Sequence, residues 1–125
     1  TSVKKITPKR IINAEEILYF QQLVRRVPIA DNVLEYAVKL VHKTRPNREG
    51  ATEITNQYLD WGAGPRASQN LVLAAKCHAL INGKYSPDIA DVQAVAEAVL
   101  RHRIIRNFRA EAEGQTVEKI IAQLL

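Results

Sequence analysis

The sequence predicts an all-α domain, a small bundle of about five helices, on three observations. Apolar residues recur at spacings of three and four in separate windows, helix-start chemistry opens those windows, and Pro or Gly closes them. The first window opens at Asn13-Ala14-Glu15-Glu16, with Asn13 as cap and Glu16 placed to reach back as in a capping box. Ile17, Phe20, Val24 and Val27 lay one apolar stripe along this helix, and Pro28 ends it.

A second helix is predicted from about Asp31 to Thr44, with Val33, Ala37, Leu40 and Val41 on its buried face. Asp31 and Glu35 near its start, and Lys39, His42 and Lys43 near its end, suit the helix dipole. Residues 45–64 are the least regular and read as a long, Gly- and Pro-punctuated connection of the kind that often carries function. Pro65 then opens a helix with Ala67, Leu71, Ala74, Ala75, His78 and Ile81 on one face, closed by Asn82-Gly83. Ser86-Pro87-Asp88 restarts the chain as cap, first-turn proline and first-turn acid, and Ile89, Val92, Val95, Ala96 and Val99 form the next stripe. The run from Arg101 to Phe108 has no clean period and is expected to be extended or irregular. Thr116 caps a last helix with Val117, Ile120, Ile121 and Leu124 inward.

A length of 125 residues fits one compact domain, and 46% hydrophobic with 25% charged residues is ordinary globular composition. No apolar stretch is long enough to span a bilayer, and Thr1-Ser2-Val3-Lys4-Lys5 lacks the apolar core of a signal peptide, so a cytoplasmic location is expected. The sequence has no initiator methionine and no methionine at all, which suggests an excised fragment, removal of the first residue by processing being the alternative. Cys77 is the sole cysteine, so no disulfide framework or Cys-based zinc site forms within one chain. It reads as an inert small residue. His42, His78 and His102 lack metal-ligand spacing, so no metal site is expected, and His78 reads as a packed, hydrogen-bonded core or boundary residue. There is no Gly-rich phosphate loop followed by Lys-Ser/Thr and no serine with an identifiable base, so self-contained catalysis is not expected.

One local feature points to chemistry: Gly62-Ala63-Gly64-Pro65-Arg66-Ala67-Ser68. A flexible loop feeds a proline-started helix that holds an arginine in its first turn. A helix N-terminus favours anions, and a guanidinium adds a permanently charged fork, so the two make one half of a phosphate clamp. An ordinary loop-to-helix junction with a surface arginine is the alternative.

At these residues the sequence resembles the helical lid domain of the MoxR branch of AAA+ ATPases, whose Gly-Ala-Ser-Pro-Arg-Ala motif stands here as Gly62 to Ala67, with Gly64 in place of the usual serine. Tyr36 to Arg45 resembles the family's second helix ending in Thr-Arg. Leu100-Arg101-His102-Arg103-Ile104 is similar to a typical MoxR element, and Thr116 to Leu125 to its closing helix. The resemblance implies that residues 14–125 are a lid and that residues 1–13 form a linker from a separate AAA+ core. It implies ATP and Mg2+ in the full-length protein, the metal held by that core and neither bound tightly here. Gly64, Pro65 and Arg66 would bind the nucleotide, with Arg66 as the catalytic sensor 2 arginine on the γ-phosphate. The fragment alone would be no enzyme, but part of an ATP-hydrolysing one.

The resemblance leaves Arg45 to support the loop, face the nucleotide or favour the helix dipole. Arg101, His102 and Arg103 would brace the last helix or contact a neighbouring subunit. Trp61 would pack the loop or stack on adenine. Implied partners are the core of the same chain, further copies in a homo-hexamer and a von Willebrand factor A domain protein, in chaperone-like remodelling. A basic nucleic-acid-binding module is the competing function, supported by the net charge of +5 and the arginines from Arg101 to Arg109. No helix shows the basic reading face such a module needs, so a nucleic-acid partner is disfavoured, as is a membrane.

Overall fold

The computed structural model describes Lys9 and residues 11–125. Most of the proposed linker, residues 1–8 and 10, lies outside the described residues. Seven helices and one two-stranded sheet follow in the order α1 (Ala14–Arg26), α2 (Asp31–Lys43), α3 (Glu53–Tyr58), β1 (Leu59–Trp61), α4 (Pro65–Ile81), α5 (Ile89–Leu100), β2 (Ile105–Arg106), α6 (Phe108–Ala112) and α7 (Val117–Leu124). The fold is helical as the periodicity requires, but with seven helices among the described residues rather than about five.

The core lies between α2, α4, α5 and α7, where Leu40, Leu71, Leu100, Ile120, Ile121 and Leu124 are fully buried. Val33, Ala37, Leu40 and Val41 are the buried residues of α2, as their spacing dictates. The central pair is α4 and α5. Ala67, Ala75 and Ala79 on α4 and Ala96 on α5 are completely buried, and side chains this small let helix backbones approach closely. Filling a core to this density makes a large-to-small change costly: Leu71→Ala is worth about 2–5 kcal/mol.

Residues 45–64 are not one long loop. Thr52 caps α3 by accepting from Thr55 N–H at 3.2 Å, and the buried Thr55 hydroxyl donates to Lys43 O. A helix of six residues is too short to show an apolar period, which is why the sequence reads as irregular there. The same holds for the five residues of α6. Asn107 caps α6 by accepting from Ala110 N–H at 2.9 Å. It also ties this end of the chain to the end of α3, donating from Nδ2 to Gln57 O at 2.8 Å and from its backbone to Tyr58 O at 2.8 Å. Between these anchors β1 and β2 pair antiparallel, Leu59 opposite Arg106 and Trp61 opposite Ile105, with an irregularity between the two positions.

Four local expectations change. Ser86 is not the cap of α5; Asp88 is, in a reciprocal box in which each of Asp88 and Asp91 accepts the other's backbone N–H, at 3.1 and 2.8 Å. Asn13 caps α1 at 2.9 Å, but only this half of its predicted box is made. The stripe of α1 has the right spacing but little cover. Val27 is buried, yet Ile17 and Phe20 are 45% and 50% exposed, and no residue within α1 is buried. This helix rests on the C-terminal half of α4, where Phe20, Leu23 and Val24 face Cys77, Leu80 and Ile81 across an open groove of about 410 Å³. Ile81, expected inward, is exposed there, as is Cys77.

Asp91 joins α5 to α4. Its carboxylate meets His78 Nδ1 and Lys84 Nζ, each at 2.6 Å, and the side chain is only 2% exposed. Burial alone would raise its pKa, but hydrogen bonds from Lys84, the Asp88 N–H and His78 outweigh that cost and hold it well below the usual carboxylate range.

Candidate functional site

The loop before α4 is held by the end of α2. Thr44, completely buried, donates its hydroxyl to Val41 O at 2.6 Å, and the same oxygen accepts the Ala63 N–H at 3.0 Å. The next residue, Arg45, donates from Nε to Ala63 O at 2.9 Å. Two adjacent residues of α2's C-terminus therefore satisfy both peptide groups of Ala63, which is itself buried. The fit is close enough to fix a residue type. A Cβ on Gly62 would lie 2.2 Å from Thr44 O and 2.7 Å from Arg45 Cα, so only glycine passes between the loop and α2.

Gly64 is different in kind. A Cβ there meets nothing within 4 Å, and its φ of −81° is open to any residue. It is the N-cap of α4 and supplies no side-chain cap bond. A serine at this place would fit and would accept an N–H of the first turn. Pro65 occupies the first turn, where its missing N–H costs nothing. Arg66 follows it, exposed, and among the described residues its side chain has neither a hydrogen bond nor an ion pair.

Arg45, Pro46, Arg48, Asp60, Trp61 and Gly62 to Pro65 line a shallow pocket of about 320 Å³. Arg66 is next to this wall in sequence but is not part of it. A second cleft of about 420 Å³ is lined by Arg101, His102 and Arg106, with Thr116, Val117 and Glu118 from the start of α7. In it Arg101 Nε donates to His102 Nε2 at 3.3 Å, and Arg106 Nη1 donates to Gln115 O at 3.0 Å. Arg103 is exposed and lines neither space, while Ile104 beside it is buried.

The structure thus gathers Arg45, Gly64 and Pro65 at one pocket and Arg101 and His102 at another, with β1 lining the first and β2 the second. Sequence reasoning did not single out Thr44, Asp60 or Arg106 for these places. The Thr44 tie spans 19 residues, and only the Thr-Arg pair itself hinted at it. Among the described residues no group of three or more His, Cys, Asp or Glu side chains could hold a metal, and no helix is long and apolar enough to cross a membrane.

Comparison with known proteins shows the family to which the chain belongs. Residues 51–124 match the model of the AAA lid domain family. The chain is 30% identical over 124 residues to the chaperone MoxR1 of Mycobacterium tuberculosis, covering 96% of this chain and 33% of that protein. It is 29% identical over 119 residues to the uncharacterized protein YeaC of Bacillus subtilis, covering 95% and 34%. A crystal structure of a provisionally assigned ATPase from Cytophaga hutchinsonii superposes with a TM-score of 0.80 at 34% identity, over 88% of this chain and 33% of that one. The chain spans about a third of the length of the curated relatives it matches.

Proposed function

Because the chain belongs to the AAA lid domain family and carries the lid of a MoxR-type AAA+ ATPase, we propose that it closes over ATP held by a P-loop core outside these residues. In this reading Arg66 is the sensor that meets the γ-phosphate. The observation that carries it is the state of Arg66: a permanently charged fork in the first turn of α4, solvent-exposed and without a partner among the described residues, behind a loop pinned on both sides of Ala63. Such a group is free to bind a phosphate, and its backbone is already positioned, so little order has to be gained on binding.

Arg45 supports the loop by its bond to Ala63 O. Gly64 and Pro65 bring the helix start to the nucleotide, whose Mg2+ would be held by the core, since Asp60 is the lone carboxylate of the nearby wall. Loss of the γ-phosphate removes the contact to Arg66, and that difference in affinity is what shifts lid against core. Arg101, His102 and Arg103 serve contacts with neighbouring subunits of an assembly, a homo-hexamer in this reading. Remodelling of partner proteins, including one with a von Willebrand factor A domain, is the work that closure would drive. Support for it is the likeness to a protein named as a chaperone.

The test is ATP turnover by the longer native protein with and without Arg66→Ala. Reduced turnover by a folded variant is expected. Unchanged turnover, or a native protein without a P-loop core, would leave Arg66 a surface residue and favour a binding module.

A further inference from the structure

Trp61 and Ile105 face each other across β1 and β2, and both are exposed, at 68% and 58%. The sheet beneath them is anchored, because Leu59 and Ile104 are buried at 3% and 5%. This apolar pair is therefore held at the surface by a fixed backbone. Cations bracket it. Arg106 adjoins Ile105 in β2, Arg103 stands two residues before it, and Arg101 shares a cleft with Arg106. On the other side Arg45 and Arg48 line the pocket to which Trp61 belongs.

Among the described residues none of Arg45, Arg48, Arg101, Arg103 and Arg106 is in an ion pair with a carboxylate, although Lys39, Lys84 and Arg109 are. Residues 1–8 and 10 contain no acid that could supply one. Among the described residues the acids of the two walls, Asp60 and Glu118, are likewise in no ion pair. Cationic side chains around a rigid, exposed tryptophan are the composition of a protein-binding hot spot: Trp and Arg are the types most enriched there.

We propose that this face docks an acidic protein segment, with an apolar side chain of the partner seated on Trp61 and Ile105 and carboxylates of the partner on Arg101, Arg103 and Arg106. Charge selects the partner's sign, since the chain carries +5 overall and this face holds unpaired arginines. The aliphatic half of the pair selects protein over nucleic acid: single-stranded nucleic acid is held by aromatic platforms for successive bases, which Ile105 cannot provide. A second copy of this chain would bring the same net positive charge. The proposal gives Arg101 and Arg103 an acidic protein segment in place of the neighbouring subunit of the proposed function, and it does not rest on nucleotide binding by Arg66.

Trp61 is the single tryptophan of the chain, so its fluorescence reads the contact directly. The probe is a capped peptide of about twelve residues, glutamates interrupted by two leucines, which spans roughly 40 Å when extended. The expected result is a saturable blue shift of Trp61 emission, with amide shifts confined to residues 60–62 and 101–106. Arg101→Glu with Arg103→Glu, folded by circular dichroism, should weaken binding by at least about tenfold. Unmoved Trp61 emission would overturn the proposal. So would equal affinity for a peptide with serines in place of the leucines, or an equal shift with oligothymidylate. Failure of the Arg66 turnover test leaves each of these readouts intact.

Discussion

The Thr44 hydroxyl accepts the N–H of Ala63 at 3.0 Å, so a buried side chain at the end of α2 fixes the backbone that precedes Arg66. Its proton is already given to Val41 O, which orients the lone pair toward Ala63. Valine has nearly the shape of threonine without the oxygen. Thr44→Val should cost about 1–3 kcal/mol, because the Ala63 N–H is left buried and unpaired. Urea unfolding measures it, with Thr44→Ser as the control that keeps the oxygen. Equal stability of Val and Thr at this position would sink the claim that the bond matters.

Two glycines two residues apart should respond in opposite directions. Gly62→Ala places a methyl against Thr44 O and should destabilise by about 1–3 kcal/mol, as overpacking does. Gly64→Ser meets open space and adds a cap oxygen to α4, so it should stabilise by a few tenths of a kcal/mol. Thermal melts of the two variants against the parent decide both signs.

Arg66→Ala separates function from folding. Exposure and the lack of a bound partner predict a stability change within about 0.5 kcal/mol. In the longer protein, ATP turnover should fall by at least about tenfold, less than the ~10³–10⁵ of an arginine finger that meets the transition state alone. A variant that loses turnover only because it unfolds would be exposed by its melting curve.

Asp91 sets an acid limit on the fold. Its folded pKa is depressed, so the stability it contributes is present above the unfolded value of about 3.9 and is lost as pH falls through the folded one. Stability measured by urea midpoints should therefore decline below about pH 5. Asp91→Asn, which removes the charge that Lys84 and His78 meet, should cost about 2–3 kcal/mol at neutral pH and make the acid decline shallower. A parallel decline in both proteins would assign the acid sensitivity to other carboxylates.

The elements that could be read from sequence are those in which a local signal and the tertiary outcome coincide. The stripe of α2 is buried residue for residue, Thr116 caps α7 at 3.2 Å, and Pro65 and Asn82 bound α4. Helices α3 and α6 have visible caps in Thr52 and Asn107, but periodicity needs more turns than they possess. In α1 the spacing identifies a face and says nothing of what covers it, hence the mismatch at Ile17 and Phe20. Around the candidate site, the helix start at Gly64-Pro65-Arg66 is local and therefore legible. The contacts that hold it, Thr44 and Arg45 to Ala63, join residues 18 and 19 apart and become visible only in three dimensions.

The thin cover of α1 has a mechanical meaning. A helix with no buried residue of its own can detach at far lower free energy than the core melts, so its amides should exchange with solvent first. Its seat is the Leu73–Ile81 end of α4, and Arg66 stands at the other end, roughly 10 to 22 Å from that seat along one uninterrupted rod. A pull on α1 from outside the bundle thus parts it from α4 before it moves the rod, and the tip that carries Arg66 stays seated with the core.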